Sequence, residues 1–221
     1  MPGTKISEVV RRQQIIAAAY ELATHGGLNA VTIRDVAARA EMSSGLVSFH
    51  FGTKDQLILA LLDWVLETTT ALSVGSEIKA IDDPLDRLIA LLRQEMARLS
   101  REPQRIRLFF EFWSAGIWNY DVGNRMQREL DRYREAFRPM AEAVLVADPS
   151  RFAGVSAAGL TAVAVSFIKG CAVQSMIDPT LDIGEFLAAA EGLLVRQSHT
   201  ASLMSRPAAS RGPRILPARV R

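Results

Sequence analysis

Cysteine is nearly absent: Cys171 is the single thiol in 221 residues, so no disulfide framework can brace the fold. A reducing cytosol is the expected compartment. Histidine is scarce as well. His25, His50 and His199 stand far apart and form no cluster with metal-ligand spacing, so neither a metal nor a cofactor is expected. The N-terminus MPGTKISEVVRRQQ lacks the apolar core of a signal peptide. The longest uncharged run, residues 152–168, is interrupted by Lys169 short of the ~20 residues a bilayer-spanning helix needs. It reads as a buried helix of a soluble assembly, with a membrane helix as the alternative. No segment alternates with period two over a strand's length, which leaves an all-α chain.

Enzyme signatures are missing too. Gly154 to Thr161 imitates a phosphate loop, but Leu160 stands where lysine is needed and no strand precedes it. Ser166 and Lys169 match an SxxK spacing without the companion motifs of that chemistry. Both read as helix packing. Cys171, on an apolar helix with no histidine nearby in sequence, reads as an inert buried thiol. The chain is expected not to be an enzyme.

What is present is a globular composition, 49% hydrophobic and 23% charged, enough to bury a real core. The net charge of +2 is unevenly spread. Residues 1–55 carry +1, and residues 198–221 hold five arginines and no acid, which leaves the middle at −4. Helical spacing of Val9, Ile16, Tyr20 and Ala23 predicts a first helix over residues 7–25, stopped by Gly26 and Gly27. Thr32 and Ser43 are predicted N-caps of two short helices, IRDVAARA and SGLVSFHF. Thr53 caps a long helix running from Lys54 to about residue 74. Asp83-Pro84, Pro103, Asn119, Asp148-Pro149 and Asp182 are predicted to open later helices, with Pro139 a candidate kink. The expected division is a helix-turn-helix domain over 1–53, a larger helical domain over 54–198 and a disordered basic tail over 199–221, about nine helices in all.

Two short helices joined by a tight turn suit a unit that reads duplex DNA. The second would enter the major groove, whose width admits one helix. Its leading end should then be small or polar, as Ser43, Ser44 and Gly45 are. Ser48, Phe49 and His50 occupy its next turn, offering a hydroxyl, an apolar contact to a thymine methyl and a donor to phosphate. Lys54 opens the following helix, where backbone N–H groups and an ammonium can hold one phosphate. The competing reading makes Phe49 and Phe51 core and the serines caps alone, and for Phe51 core is the expectation.

These residues resemble the TetR family of bacterial repressors, in the pattern Ile16-x-Ala18-Ala19-x-x-Leu22, Gly27, Thr32-Ile33, Val36-Ala37, Ala40, Ser43-x-Gly45, His50-Phe51, Lys54 and Leu57. The resemblance covers residues 12–57. It implies an all-α homodimer with an N-terminal DNA-binding domain and a larger ligand-binding and dimerisation domain. Carried over position by position, it places Thr32, Ser43, Ser44, Ser48, Phe49, His50 and Lys54 at the DNA. Two departures stand out: Glu41 replaces the glycine usual in the turn, and Ser48 replaces a common tyrosine. The segments SxGLVSFHF, FFEFWSAG and FIKGCAVQSMID are also similar to the BetI-type, choline-responsive branch of that family.

Phe109, Phe110, Phe112, Trp113 and Trp118 crowd one segment, with Trp64, Tyr133, Phe137 and Phe167 on others. A ligand pocket and plain core packing are both open for them. Such rings would suit a choline-like cation or a neutral apolar compound. Gly159, Val163, Ser166 and Gly170 form a small-residue face that lets a second helix approach closely. With Phe186, Ala190, Leu193 and Gln197 on the last helix, this face reads as a dimer interface, or else as a contact within one chain. The expectation is a cytoplasmic, homodimeric repressor that binds a palindromic operator and is released by a small inducer. The alternative is a helical ligand-binding or partner-regulated protein with little specific DNA binding.

Overall fold

The computed structural model describes residues 7–67 and 74–204, without the side chains of residues 99, 100 and 194–204. Ten α-helices and no strand occur among the described residues: α1 (Glu8–Gly26), α2 (Ile33–Arg39), α3 (Ser44–Phe51), α4 (Lys54–Glu67), α5 (Ser76–Lys79), α6 (Pro84–Arg101), α7 (Pro103–Gly116), α8 (Tyr120–Ala147), α9 (Ala157–Ile177) and α10 (Ile183–Met204). A 3-10 turn, Leu28–Ala30, follows α1.

Side chains at the helix starts take up backbone N–H groups that no helical carbonyl can reach. Thr32 Oγ1 accepts from Asp35 N at 3.1 Å, and Ser43 Oγ accepts from Leu46 N at 3.2 Å. At the head of α4 the bonding is reciprocal, since Thr53 N donates to Gln56 Oε1 while Gln56 N donates to Thr53 Oγ1. Asp83 caps α6 ahead of Pro84, Asn119 caps α8 and Asp182 opens α10. α8 runs through Pro139 for 28 residues.

Two boundaries and two short elements depart from the sequence reading. The neutral helix begins at Ala157, capped by Ser156, and not at Asp148-Pro149. Asp148 instead closes a turn, its Oδ1 accepting from Arg151 N at 3.0 Å and from the Ser150 hydroxyl. α5 and the 3-10 turn are too short to show a hydrophobic period. α10 continues to Met204, past the expected end of the helical domain, while residues 205–221 of the expected tail and residues 68–73 of the expected long helix lie outside the described residues.

Two hydrophobic cores form. The first joins Ile15 and Ala19 of α1, Val36 of α2, Val47 and Phe51 of α3 and Leu57, Leu61 and Leu62 of α4. It also takes in Leu108 and Phe112 of α7 and Met126 of α8, so the N-terminal helices are packed onto the larger body and not merely tethered to it. The second core lies among α6, α8 and α9, around Leu88, Leu91, Met96, Tyr133, Phe137, Val165 and Ile168. Each fully buried side chain of this size contributes about 1.5–3 kcal/mol. α9 is long and apolar enough to cross a membrane, at mean hydropathy 1.5, and one third of its apolar window is buried inside the molecule.

Candidate functional site

α3 presents two unlike faces. Val47, His50 and Phe51, spaced i, i+3, i+4, turn inward, and Val47 and Phe51 are buried. Ser44, Gly45, Ser48 and Phe49 are exposed on the other side, Phe49 at 78% of its full surface. Its ring meets that of His50 edge-on at 5.3 Å and otherwise stands open. Ser43 is exposed but its hydroxyl is engaged as the α3 cap. Thr32 is similarly occupied, capping α2 and donating to Asp35 Oδ2 at 2.5 Å. Lys54 is exposed on the first turn of α4, just beyond Gly52. Gly52 sits at φ +72, a backbone conformation that L side chains rarely adopt, so glycine suits the turn between α3 and α4.

His50 is placed differently from the other α3 residues expected at the DNA. Its imidazole is 4% exposed, neither ring nitrogen has a hydrogen-bond partner, and Nδ1 lies 3.9 Å from Glu8 Oε1. The ring is held against α1 because position 50 shares the inward face with 47 and 51. Its carbonyl accepts from Arg12, whose guanidinium stacks 4.3 Å over the Phe51 ring. In this arrangement the His50 ring lies against α1 and away from the exposed face of α3 that carries Ser44, Ser48 and Phe49.

A cavity lies between α4, α6, α7, α8 and α9, with a free volume of about 30 Å³, room for one or two waters. Phe109, Trp113 and Tyr133, three of the eight aromatic residues named from the sequence, line it together with Phe110, Leu130 and Ile168. Arg98, Arg105, Glu129 and Lys169 supply its polar wall. Lys169 Nζ stands 4.2 Å from the Phe109 ring centroid and 4.6 Å from that of Tyr133. Burial lowers the Lys169 pKa to about 8, helped by Arg98 and opposed by Glu129 and Glu95. Tyr133 donates to Glu95 Oε2 at 2.7 Å, and burial together with that carboxylate pushes its phenol well above the usual range.

The other five aromatic expectations lie elsewhere. Phe112 is fully buried in the first core and Phe137 in the second, stacked 5.3 Å from Tyr133. Trp64 packs on Tyr20 at 5.0 Å. Trp118 is 89% exposed at the α7–α8 corner, two residues past the end of α7. Phe167 faces a separate apolar groove between α9 and α10. Lys169 was missed, although a signal existed: it is the lone charge in an apolar helix.

That groove, about 530 Å³, is lined by Leu88, Leu160, Val163, Phe167, Phe186, Ala190 and Leu193 among others. Val163 and Leu193 are 67% and 74% exposed. Ser166 and Gly159 are exposed, and a Cβ on Gly170 would meet nothing within 4 Å. Among the described residues no helix packs on the small-residue face at Gly170. The Gln197 side chain lies outside the described residues.

Two family models match the chain, one for bacterial regulatory proteins of the tetR family over residues 15–61 and one for the BetI-type transcriptional repressor C-terminal domain over residues 84–199. The second alone spans more than half of the chain. The chain belongs to the TetR family.

Curated relatives of this TetR-family chain include the HTH-type transcriptional regulator BetI of Stenotrophomonas maltophilia, 30% identical over 125 residues, and that of Burkholderia ambifaria, 32% identical over 117 residues. The matches cover 57% and 53% of this chain and 63% and 60% of those relatives. Solved structures of the same fold include a TetR transcription regulator from Haloarcula marismortui, with TM-score 0.65, 21% identity and coverage of 87% of this chain and 98% of that one. A transcriptional regulator from Saccharomonospora viridis in complex with choline has TM-score 0.70 at 16% identity, covering 85% and 96%. The helix-turn-helix of this family member is strained at one point: Glu41, in place of the usual glycine, adopts φ +55.

Proposed function

We propose that this chain is a ligand-responsive, homodimeric repressor that binds a palindromic DNA operator in the cytoplasm. The observation that carries the reading is the outer face of α3, where Ser44, Gly45, Ser48 and a largely exposed Phe49 precede the exposed Lys54 at the head of α4. Small and polar groups on a helix end, with a cation at the next helix start, fit base edges and one phosphate.

The α9–α10 groove with its exposed Val163 and Leu193 supports dimerisation through a second copy of these helices. Two copies of α3 would then meet major-groove faces ~34 Å or a multiple apart. The cavity beneath α7 supports a small effector, and the choline held by a neighbour of the same fold supports an organic one. An effector acts by favouring one spacing of the α3 pair over another, to the extent of its differential affinity.

Selecting bound sequences from a random duplex pool, then measuring affinity against salt, tests the reading. A palindromic consensus bound at least 10³-fold above random duplex is expected. Equal affinity for every duplex would reject it.

A further inference from the structure

We propose that the effector cavity takes a carboxylate-bearing organic ligand, paired with the ammonium of Lys169, and that this same ammonium excludes quaternary ammonium compounds. The inference rests on the reading above only in using the cavity as the effector site. Ring faces recognise a cation when it lies within about 6 Å of their centroids. In this protein that position is already filled from within, by Lys169 Nζ over Phe109 and Tyr133. A second cation would have to displace a tethered one.

The wall charge points the same way. Three cations, Arg98, Arg105 and Lys169, line the cavity against one carboxylate, Glu129. Glu129 is paired with Arg132, Arg105 is paired with Glu102 at 3.7 Å, and the nearby Glu95 receives both Tyr133 and Arg98 on Oε2 while its Oε1 has no hydrogen-bond partner. Lys169 is different. It has three N–H donors, ring faces on two sides, and no hydrogen bond or ion pair to an oxygen among the described residues. An ammonium held between two ring faces without a protein acceptor gains most from a ligand that brings one, and a carboxylate brings both acceptor and charge. The apolar part of such a ligand would lie on Phe110, Trp113, Leu130 and Ile168. With about 30 Å³ free, the Lys169 stem and Trp113 must shift to admit it.

Calorimetric titration of the full chain with phenylacetate, a series of straight-chain fatty acids, benzyltrimethylammonium and choline tests this. At least one carboxylate should bind tenfold or more tighter than both cations. Lys169→Met should weaken that carboxylate at least tenfold and bring benzyltrimethylammonium into range, whereas Lys169→Arg should keep the carboxylate preference.

A third measurement needs no variant. The groups facing Lys169 are Glu95 and Arg98 of α6, Arg105 of α7, and Glu129 and Tyr133 of α8. Because Lys169 loses its proton near pH 8, carboxylate affinity should fall by up to tenfold per pH unit above that point. Tighter binding of choline or benzyltrimethylammonium by the unaltered protein, binding of none of the probes, or a carboxylate affinity that ignores both Lys169→Met and pH would each overturn the proposal. Operator binding is measured separately, so a chain that binds carboxylate but no operator would overturn the repressor reading and leave this one standing.

Discussion

The Glu111 carboxylate accepts the backbone N–H of Leu28 at 2.7 Å, across 83 residues of sequence. Leu28 opens the 3-10 turn after α1, and Glu111 lies on α7 between Phe110 and Trp113, which line the cavity. One helix thus lines the cavity with one face and holds the N-terminal helices with the other. Two further ties reach α4: Arg105 donates to the Val65 carbonyl at 2.9 Å, and Arg125 pairs with Asp63 at 2.7 Å. Motion of α7 or α8 on ligand entry would be passed to α4 and α1 through these groups.

Glu111→Ala leaves the Leu28 N–H without its charged acceptor and should cost about 1.5–3 kcal/mol in urea unfolding. Glu111→Gln keeps an acceptor and should recover more than half. Gly27 stands at φ +73 with its Cβ site 3.0 Å from this carboxylate, so Gly27→Ala should be at least as damaging. Equal midpoints for Glu111→Ala and the parent would show the tie to be idle.

Glu41→Gly should stabilise the protein by about 1 kcal/mol, because a non-glycine residue at φ +55 carries roughly that strain. Thermal unfolding would register it as an upward shift of a few degrees. A lowered midpoint would mean that the greater freedom of glycine in the unfolded chain outweighs the relief.

On DNA, positioning and reading should separate. Lys54→Ala should weaken operator and random duplex alike and lower the salt slope by about one unit. Ser44→Ala and Phe49→Ala should each reduce discrimination, by on the order of 1–3 kcal/mol, with random-duplex affinity nearly unchanged. His50→Ala should act on stability instead. Fluorescence anisotropy over a salt series distinguishes them, and a Ser44→Ala loss equal on every duplex would make that serine a positioning residue.

The depressed Lys169 pKa carries a sign. Its folded value, about 8, lies below the ordinary lysine value of 10.5, so the unfolded chain binds more protons between those limits. The burial penalty is therefore present in full below pH 8, and this group makes stability rise with pH from about 8 to 10.5. Lys169→Met should remove that rise and raise stability at pH 7. A pH series of urea midpoints that keeps the same slope in the variant would assign the rise to another group.

Val163→Glu and Leu193→Glu place charge in the α9–α10 groove at positions exposed in one chain. Each should leave the secondary structure and protomer fold intact and weaken self-association at least tenfold by sedimentation. Unchanged association by both variants would move the dimer contact elsewhere.

Local chemistry determined much of this protein directly from its sequence. Ser7, Thr32, Ser43, Thr53, Asp83, Asn119 and Asp182 start helices because their side chains reach N–H groups two or three residues on, an interaction written entirely within one turn. The exposed, small and polar leading end of α3 follows from the same short-range pattern. What the sequence could not order was the set of contacts between helices. Five of eight aromatic residues left the expected pocket, because helical spacing states which residues share a face but not which neighbour that face meets. His50 turned inward for the same reason, sharing a face with Val47 and Phe51. The cavity was completed by Arg98, Glu129 and Lys169 from three different helices, and its electrostatic character is a property of their meeting. A lysine in an apolar helix is visible in one dimension. That its ammonium lies between the rings of Phe109 and Tyr133 exists only in three.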